Sequence, residues 1–487
     1  MSISSALSSA LSGLTASSRA ADVVASNIAN AMTDGYGTRR LDVASRTTGN
    51  NGSGVRVAGI TRQEDTVLLA QRRIASADLG ASQTQVDFMT RLEALIGAPD
   101  NPGSLSARMA DFEGKLISAA NNPWNTTHLS AAVQGAQSIA GALNDLSDGI
   151  QDERRRADAN IGRSVDQINA ALEGLEDLNK RILSTRANGG GVASLLDAQA
   201  QLVEQIAPYI PLQTRRETNG TLNIYSDDGN VLLSHRAATL GFDPAPGMDP
   251  HLALANGNIS GLTLNGREMR LDGAYPAFEG GQLSAMFAVR DTWGPEAQAR
   301  VDGVALDLAE RFDAAGLDPS LTPGAPGLFT DSGTLVDGLN EVGLASRLRV
   351  NAAVDPENGG ALWRLRDGLG AVTEGPTGNA SFLTAQIDAL ANPRPTTSTA
   401  FSATSRSMSG LIAESLSLAG LGRSTAEMSL SRSSALHTAL EAAELAGGVD
   451  TDDELHRLLR IEQMYAANAR VINVAQQLMD ELMRIAG

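Results

Sequence analysis

The run ISSALSSALSGLTASSRAADVVASNIANA, residues 3–31, decides the fold. Ile3, Leu7, Ala10, Leu14, Ser17, Ala21, Val24, Ile28 and Ala31 are spaced alternately by four and three, the seam of a heptad-repeat helix. The far end of the chain repeats the pattern. Ile461, Met464, Asn468, Val471, Ala475, Leu478, Leu482 and Ile485 follow three-four spacing, with Asn468 the polar exception. Two amphipathic helices with narrow stripes therefore bracket the chain. The large apolar groups of the first are Ile3, Leu7, Leu11, Leu14, Val24 and Ile28. Burying them does not offset the conformational entropy of ordering so long a segment, so each helix needs a partner. That partner is either the other terminal helix or one from another subunit.

Inward of the first helix, Gly49–Gly54 reads as a loop, and Val55, Val57 and Ile60 as a short strand. Residues 62–96 and 104–120 read as helices, each closed by Gly, Asn or Pro. Residues 126–184 read as one long helix whose seam is Leu143, Ile150, Ala157, Ile161, Ile168, Leu175, Leu178 and Ile182. Gly189–Gly191 break it, and a shorter helix runs to Ala207. The period then changes to two. Leu222, Ile224 and Tyr225 lead through Asp227-Asp228-Gly229-Asn230 to Val231 and Leu233, the pattern of a β-hairpin. Helix returns at 283–315, a strand pair is expected between 345–350 and 361–365, and Asn392–Thr399 reads as a linker. Residues 403–444 are again helical. The fold class is mainly α with a smaller β-rich part, a long helical bundle whose two terminal helices pair as a coiled coil. The expected units are residues 1–45 with 447–487, a terminal helical domain disordered in the free monomer; 46–220 with 281–446, a long-helix bundle; and 221–280, a small β-rich segment.

Apolar residues make up 42% of the 487, enough for a sizeable core, but aromatics are 3% and Ala supplies much of the rest. Small side chains let helices approach closely. The net charge of −18 leaves no electrostatic footprint for nucleic acid or anionic lipid. The absence of cysteine excludes disulfides, thiolate zinc sites and cysteine nucleophiles. The opening residues lack a basic n-region and an unbroken apolar run, so they do not read as a secretory signal. No stretch is long and apolar enough to suggest a membrane span.

Chemistry finds no foothold. His128, His235, His251, His437 and His456 share no metal-binding spacing. Asp450, Asp452, Asp453 and Glu454 lack the loop of a calcium site. They read better as a helix start, with Thr451 and Glu454 as a capping box. Asn27 and Asn30, ahead of Thr33-Asp34-Gly35-Tyr36, read two ways: facing solvent or capping the helix end at Gly35, or bonding by their amides across a helix or subunit contact. No cofactor, metal or catalytic residue is expected, and the chain is not expected to be an enzyme.

Ser12-Gly13-Leu14, Ala16, Asn27-Ile28-Ala29-Asn30 and Gly35-Tyr36 resemble the N-terminal signature of bacterial flagellar axial proteins (rod, hook and hook-associated proteins). Gly448-Val449-Asp450, Asp453-Glu454-Leu455 and the run Glu462–Ile472 resemble the C-terminal one. Leu92–Gly97, Asn121-Asn122-Pro123, Leu178-Asn179-Lys180, Leu195–Val203 and Gly281–Asp291 are similar to the hook-associated protein 1 family. The short stretch after Phe329 suggests that an outer β domain of some relatives is reduced here.

This resemblance implies a structural component of the flagellum at the hook–filament junction, secreted through the flagellar type III route. The partners it implies are further copies of the chain, the hook protein, a second junction protein, and a cytoplasmic export chaperone held by the C-terminal helix. The residues expected to form the assembly interface are Leu7, Leu14, Asn27, Ile28, Asn30, Tyr465, Asn468, Val471, Leu478 and Leu482. A peptidoglycan hydrolase carried on axial ends would need a domain with a carboxylate pair in a cleft, and no stretch reads as one.

Overall fold

The computed structural model describes residues 3–33, 36–48, 51–271, 278, 280–314 and 316–486. Gly35 and Ala315, read from sequence as helix ends, and Gly49, read as the start of a loop, lie outside the described residues. The chain is 62% helical with small sheets, as expected for a mainly α protein. In chain order, helix α1 (Ile3–Ala29) leads into strands β1 (Thr38–Thr48) and β2 (Asn51–Gln63). Helices α2 (Thr66–Ile96), α3 (Leu105–Asn121), α4 (Thr126–Ala187) and α5 (Ala193–Ile206) follow. Strands β3 (Leu212–Arg216), β4 (Leu222–Ser226), β5 (Val231–Leu233), β6 (Leu240–Gly241), β7 (Leu262–Leu264) and β8 (Arg267–Met269) come next. Helix α6 (Gly281–Ala288) then runs through a π-helical turn, Val289–Trp293, into α7 (Gly294–Phe312). Strand β9 (Phe329–Asp331), helix α8 (Leu344–Arg347), strand β10 (Leu348–Val350) and helices α9 (Arg364–Asp367) and α10 (Ser381–Ala391) form a side lobe. Helices α11 (Met408–Ala446) and α12 (Thr451–Ala486) end the chain.

Helix α4 is the spine. The Asn125 side chain accepts from Thr127 N at its start, and Asn188 with Gly189 closes it. Every seam residue read from the sequence, Leu143 to Ile182, is buried. Its first half packs with α3, α7 and the side lobe in one core, where Phe112, Phe312 and Phe329 meet edge to face or tilted. Its second half packs with α5, α6 and the sheets in another. Between the cores the π-turn aims Arg290 inward. Arg290 Nη1 donates to Asp158 at 2.8 Å, and its Nε and Nη2 donate to the Asp291 carboxylate at 2.8 and 2.9 Å. Arg154 donates to the carbonyls of Arg290, Asp249 and Leu252, so two buried guanidiniums hold the loop 249–260 against the helices.

Three local readings change. The β-rich part starts at Leu212, because β3 pairs with β4 in a β3-β4-β5 meander. The hairpin between β4 and β5 turns at Gly229, whose φ is 84°. Strand β10 pairs with β9 rather than with residues 361–365. Those residues lead instead into the short helix α9, where Leu365 is buried. The expected linker Asn392–Thr399 is clamped instead. Arg394 and Arg406 exchange backbone hydrogen bonds, and Arg311 donates to the carbonyls of Ala389, Asn392 and Arg406.

The side lobe hangs on α7 by carboxylates. Asp302 accepts from Gly343 N and Ala345 N, both at 2.8 Å, and Asp313 accepts from Gly327 N at 2.5 Å. Burial pushes each carboxyl up to about 6, against the hydrogen bonds that favour its charged form. A folded-state value above the unfolded one gives stability that is full below the unfolded value and is lost as pH rises through the folded one. The thermal midpoint is therefore expected to fall by a few degrees between pH 5 and pH 7.5. Asp313→Asn, which keeps an acceptor for Gly327, should flatten that slope; circular dichroism melts with an unchanged slope would refute the assignment.

Candidate assembly interface

Helices α1 and α12 pack against each other and run antiparallel: Ile3 and Ala6 line a groove with Val471 to Leu478, while Gly13 faces Asn468. A Cβ at Gly13 would lie 2.8 Å from the Asn468 amide nitrogen, so glycine is what admits the polar side chain. On α1, Ala10, Ser17 and Val24 are buried at heptad spacing, and Leu7, Leu14 and Ile28 are half-buried. On α12 the seam read from the sequence divides. Ile461 and Ala475 are buried, with Asn468 half-buried between them. Val471, Leu478 and Leu482 are 45%, 47% and 52% exposed, and Met464, Tyr465 and Ile485 are exposed too. Within one chain Val471, Leu478 and Leu482, expected to carry inter-helix burial, are only about half covered. The small residues of α1 let it sit close and narrow, so it covers one row of α12 and leaves the next uncovered.

The structure also contains an element whose length the sequence did not show. Strands β1 and β2 form a long antiparallel hairpin, with cross-strand pairs Leu41 to Ile60 and Val43 to Val57. Asn51 to Gly54, expected in a loop, belong to β2. The hairpin lies on the flank of α1, where Val55 N donates to Ser12 Oγ at 3.1 Å. A Cβ on Gly54, whose φ is 101°, would come within 2.1 Å of that oxygen. The alternation of Leu41 and Val43 was the available signal for β1. The hairpin crosses residue 46, the expected boundary between terminal and bundle units.

Asn27 is buried and does not face solvent. Its Oδ1 accepts from Tyr36 Oη at 2.9 Å and Arg39 N at 3.0 Å, and its Nδ2 donates to Arg39 O at 2.9 Å. It pins the start of β1 to the end of α1. Asn30 Nδ2 bonds locally to Ser26 O.

At the base of the hairpin Arg39 and Arg62 both pair with Asp197 on α5, joining the terminal pair to the bundle. Burial lowers the pKa of Arg62, with Asp197 opposing the shift. Arg72 bridges Glu204 and Glu444, and Arg73 donates to Glu204 and Thr214. Helix α12 starts on Asp450, whose Oδ1 accepts from Asp452 N and Asp453 N. The capping box is therefore not the one read from Thr451 and Glu454. Glu454 turns inward and pairs with Arg457.

Among the described residues no group of three or more His, Asp or Glu is arranged to hold a metal ion, and no helix is long and apolar enough to cross a membrane.

Comparison with known proteins follows these elements. The family model for the flagellar hook-associated protein FlgK helical domain matches residues 89–326. A flagella basal body rod protein model matches residues 7–36, and the C-terminal model of flagellar basal body rod FlgEFG proteins matches residues 446–485. Flagellar hook-associated protein 1 of Bacillus subtilis is 22% identical across 99% of this chain and 98% of its own length. Its namesake in Escherichia coli is 26% identical over 48% of this chain and 44% of that relative. The flagellar hook junction protein FlgK of Burkholderia pseudomallei, a solved structure, matches at a TM-score of 0.44 and 19% identity over 54% of this chain and 47% of that one. With the helical-domain model on its middle, rod-protein models on both ends, and an end-to-end relative, the chain is similar to flagellar hook-associated protein 1 and, at its two ends, to the flagellar rod proteins.

Proposed function

We propose that the chain is a structural junction piece joining hook to filament, secreted by the flagellar type III system and assembled at the distal hook. Residues 1–45 with 447–487 form its inner axial part, 46–220 with 281–446 the outer bundle, and 221–280 a β-rich appendage. Its work is mechanical, and no catalytic step is assigned to it. The observation that carries this reading is the uncovered row of α12. Val471 and Leu478, in the groove they share with Ile3 and Ala6, and Leu482 beyond it stay about half exposed after α1 has taken its place. An exposed apolar row on a paired helix supports a partner from another subunit. In this reading copies of the chain, the hook protein and a second junction protein meet at the assembled ends, and an export chaperone covers α12 beforehand. Leu7, Leu14, Ile28, Tyr465 and Asn468 complete the interface, while Asn27 and Asn30 support it from within one chain. Gold-labelled antibody on isolated hook–filament particles should mark a single band at the boundary. Label spread along the hook or through the filament would move the chain to another axial position.

A further inference from the structure

Where the start of α2 meets α5 and strands β3 and β4 lies a largely enclosed cavity of about 40 Å³. Arg73, Thr214 and Arg216 bring polar groups to its wall, Glu64 lies at one side, and Val203 and Leu222 give it apolar surface. A water molecule needs roughly 10–15 Å³ of such space, so a somewhat larger ion is admitted. The donors are ready. Thr214 Oγ1 accepts from Arg73 Nη1 at 3.0 Å, which leaves its own proton to be donated elsewhere. Arg73 is 4% exposed and held from behind by Glu204, to which its Nε donates at 2.8 Å.

The charges around this cavity do not balance, in a chain whose net charge is −18. Five guanidiniums, those of Arg39, Arg62, Arg72, Arg73 and Arg216, share four carboxylates, those of Glu64, Asp197, Glu204 and Glu444. Arg216 is the one left over. The acid that pairs with it is Glu64, which Arg62 already engages, and Glu64 Oε1 stands 3.8 Å from Arg216 Nε, too far for a hydrogen bond. Arg216 Nη1 donates only to neutral groups, Gln199 Oε1 at 2.7 Å and Gly220 O at 3.3 Å. Burial lowers the pKa of Arg216, and the charges of Arg73 and Arg186 lower it further. A desolvated cation beside two others is costly until an anion meets it.

We propose that this cavity is a binding site for a small inorganic anion of chloride's size and single charge, held by the Arg216 guanidinium and the Thr214 hydroxyl with Arg73 behind them. The site stands apart from the junction reading and does not depend on it. The bound ion neutralises the surplus charge where three elements converge. Arg73 comes from α2, Thr214 and Arg216 from β3, and Arg62 and Glu64 from the end of the hairpin. Anion binding therefore fastens the hairpin base to the bundle.

The test is thermal unfolding of the full chain at constant ionic strength, with sodium chloride replacing sodium gluconate. The midpoint should rise with the logarithm of chloride concentration once the site begins to fill, and bromide should act alike. Arg216→Gln should remove the dependence. Arg215→Gln, on the exposed side of the same strand, should keep it. Thr214→Val keeps the side-chain shape and drops the hydroxyl, so it should move the response to about tenfold higher chloride, which serves if the Arg216 variant does not fold. In crystals soaked in bromide, the anomalous difference map should show a peak between Arg216 and Thr214. A wild-type midpoint indifferent to chloride, an equal response in Arg216→Gln or Thr214→Val, or a map with water alone in the cavity would overturn the site.

Discussion

Replacing Arg290 by Met should destabilise the bundle by about 3–5 kcal/mol, because it strips a buried ion pair of one partner and leaves the other charged. Arg290 is fully buried, and Asp158 is 2% exposed. Burial alone lowers the pKa of a guanidinium; here Asp291 and Asp158 more than offset it and hold Arg290 above its ordinary value. Removing the guanidinium also frees the Ser260 carbonyl and the rings of Phe242 and Phe287, which it stacks against at 5.3 and 4.9 Å. Asp158 keeps one partner, Ala245 N, which is too little for a buried carboxylate. Adding Asp158→Asn should recover part of the loss, since no charge then remains unpaired. For contrast, Arg155→Ala breaks an exposed pair with Asp152 and should cost under about 1 kcal/mol. Urea titrations of the three variants test the ranking. A loss at Arg290→Met as small as at Arg155→Ala would show that the π-turn is not held by charge.

Leu478→Asp should abolish assembly while leaving the monomer folded. Leu478 is about half exposed, so the carboxylate stays hydrated in the free chain and helix content should not change. In the proposed array the same site would be covered. A Leu there contributes about 1.5–3 kcal/mol of burial. A desolvated carboxylate costs several kcal/mol more, and every subunit in the array bears the loss. The proposed binding of an export chaperone to α12 should weaken in parallel. The change at Ala475, buried against α1, should differ in kind: Ala475→Asp disturbs the terminal pair itself. Cells making the Leu478→Asp chain are expected to shed filament protein without building filaments. Filaments of normal number on such cells would sink the interface assignment.

The helices were legible because their signal is local. Leu143 to Ile182 on α4 recur at spacings of seven, four and three residues, and a helix with that pattern has one face to bury. The β4–β5 hairpin was legible for the same reason, with its turn residues written between two apolar strands. Strand β1 was not: Leu41 and Val43 alternate only briefly among Arg, Asp and Ser, and both its pairing with β2 and the seating of that pair on α1 are long-range. Asn27 could be read as a cap or a contact, and nothing in the sequence says that the chain returns from Tyr36 to Arg39 across its amide.

On the terminal helices the division is sharpest. The spacing at 461–485 determines that α12 is a helix with an apolar seam, and the spacing at 3–31 does the same for α1. Periodicity fixes which residues share a face, since that follows from 3.6 residues per turn. It cannot fix which row of that face meets which neighbour. Only the tertiary structure sets Gly13 against Asn468, turns Ile461 and Ala475 inward, and leaves Val471, Leu478 and Leu482 uncovered. The physical reason is width: a helix lined with Gly, Ala and Ser approaches closely and covers one row, so the next row is left for another partner.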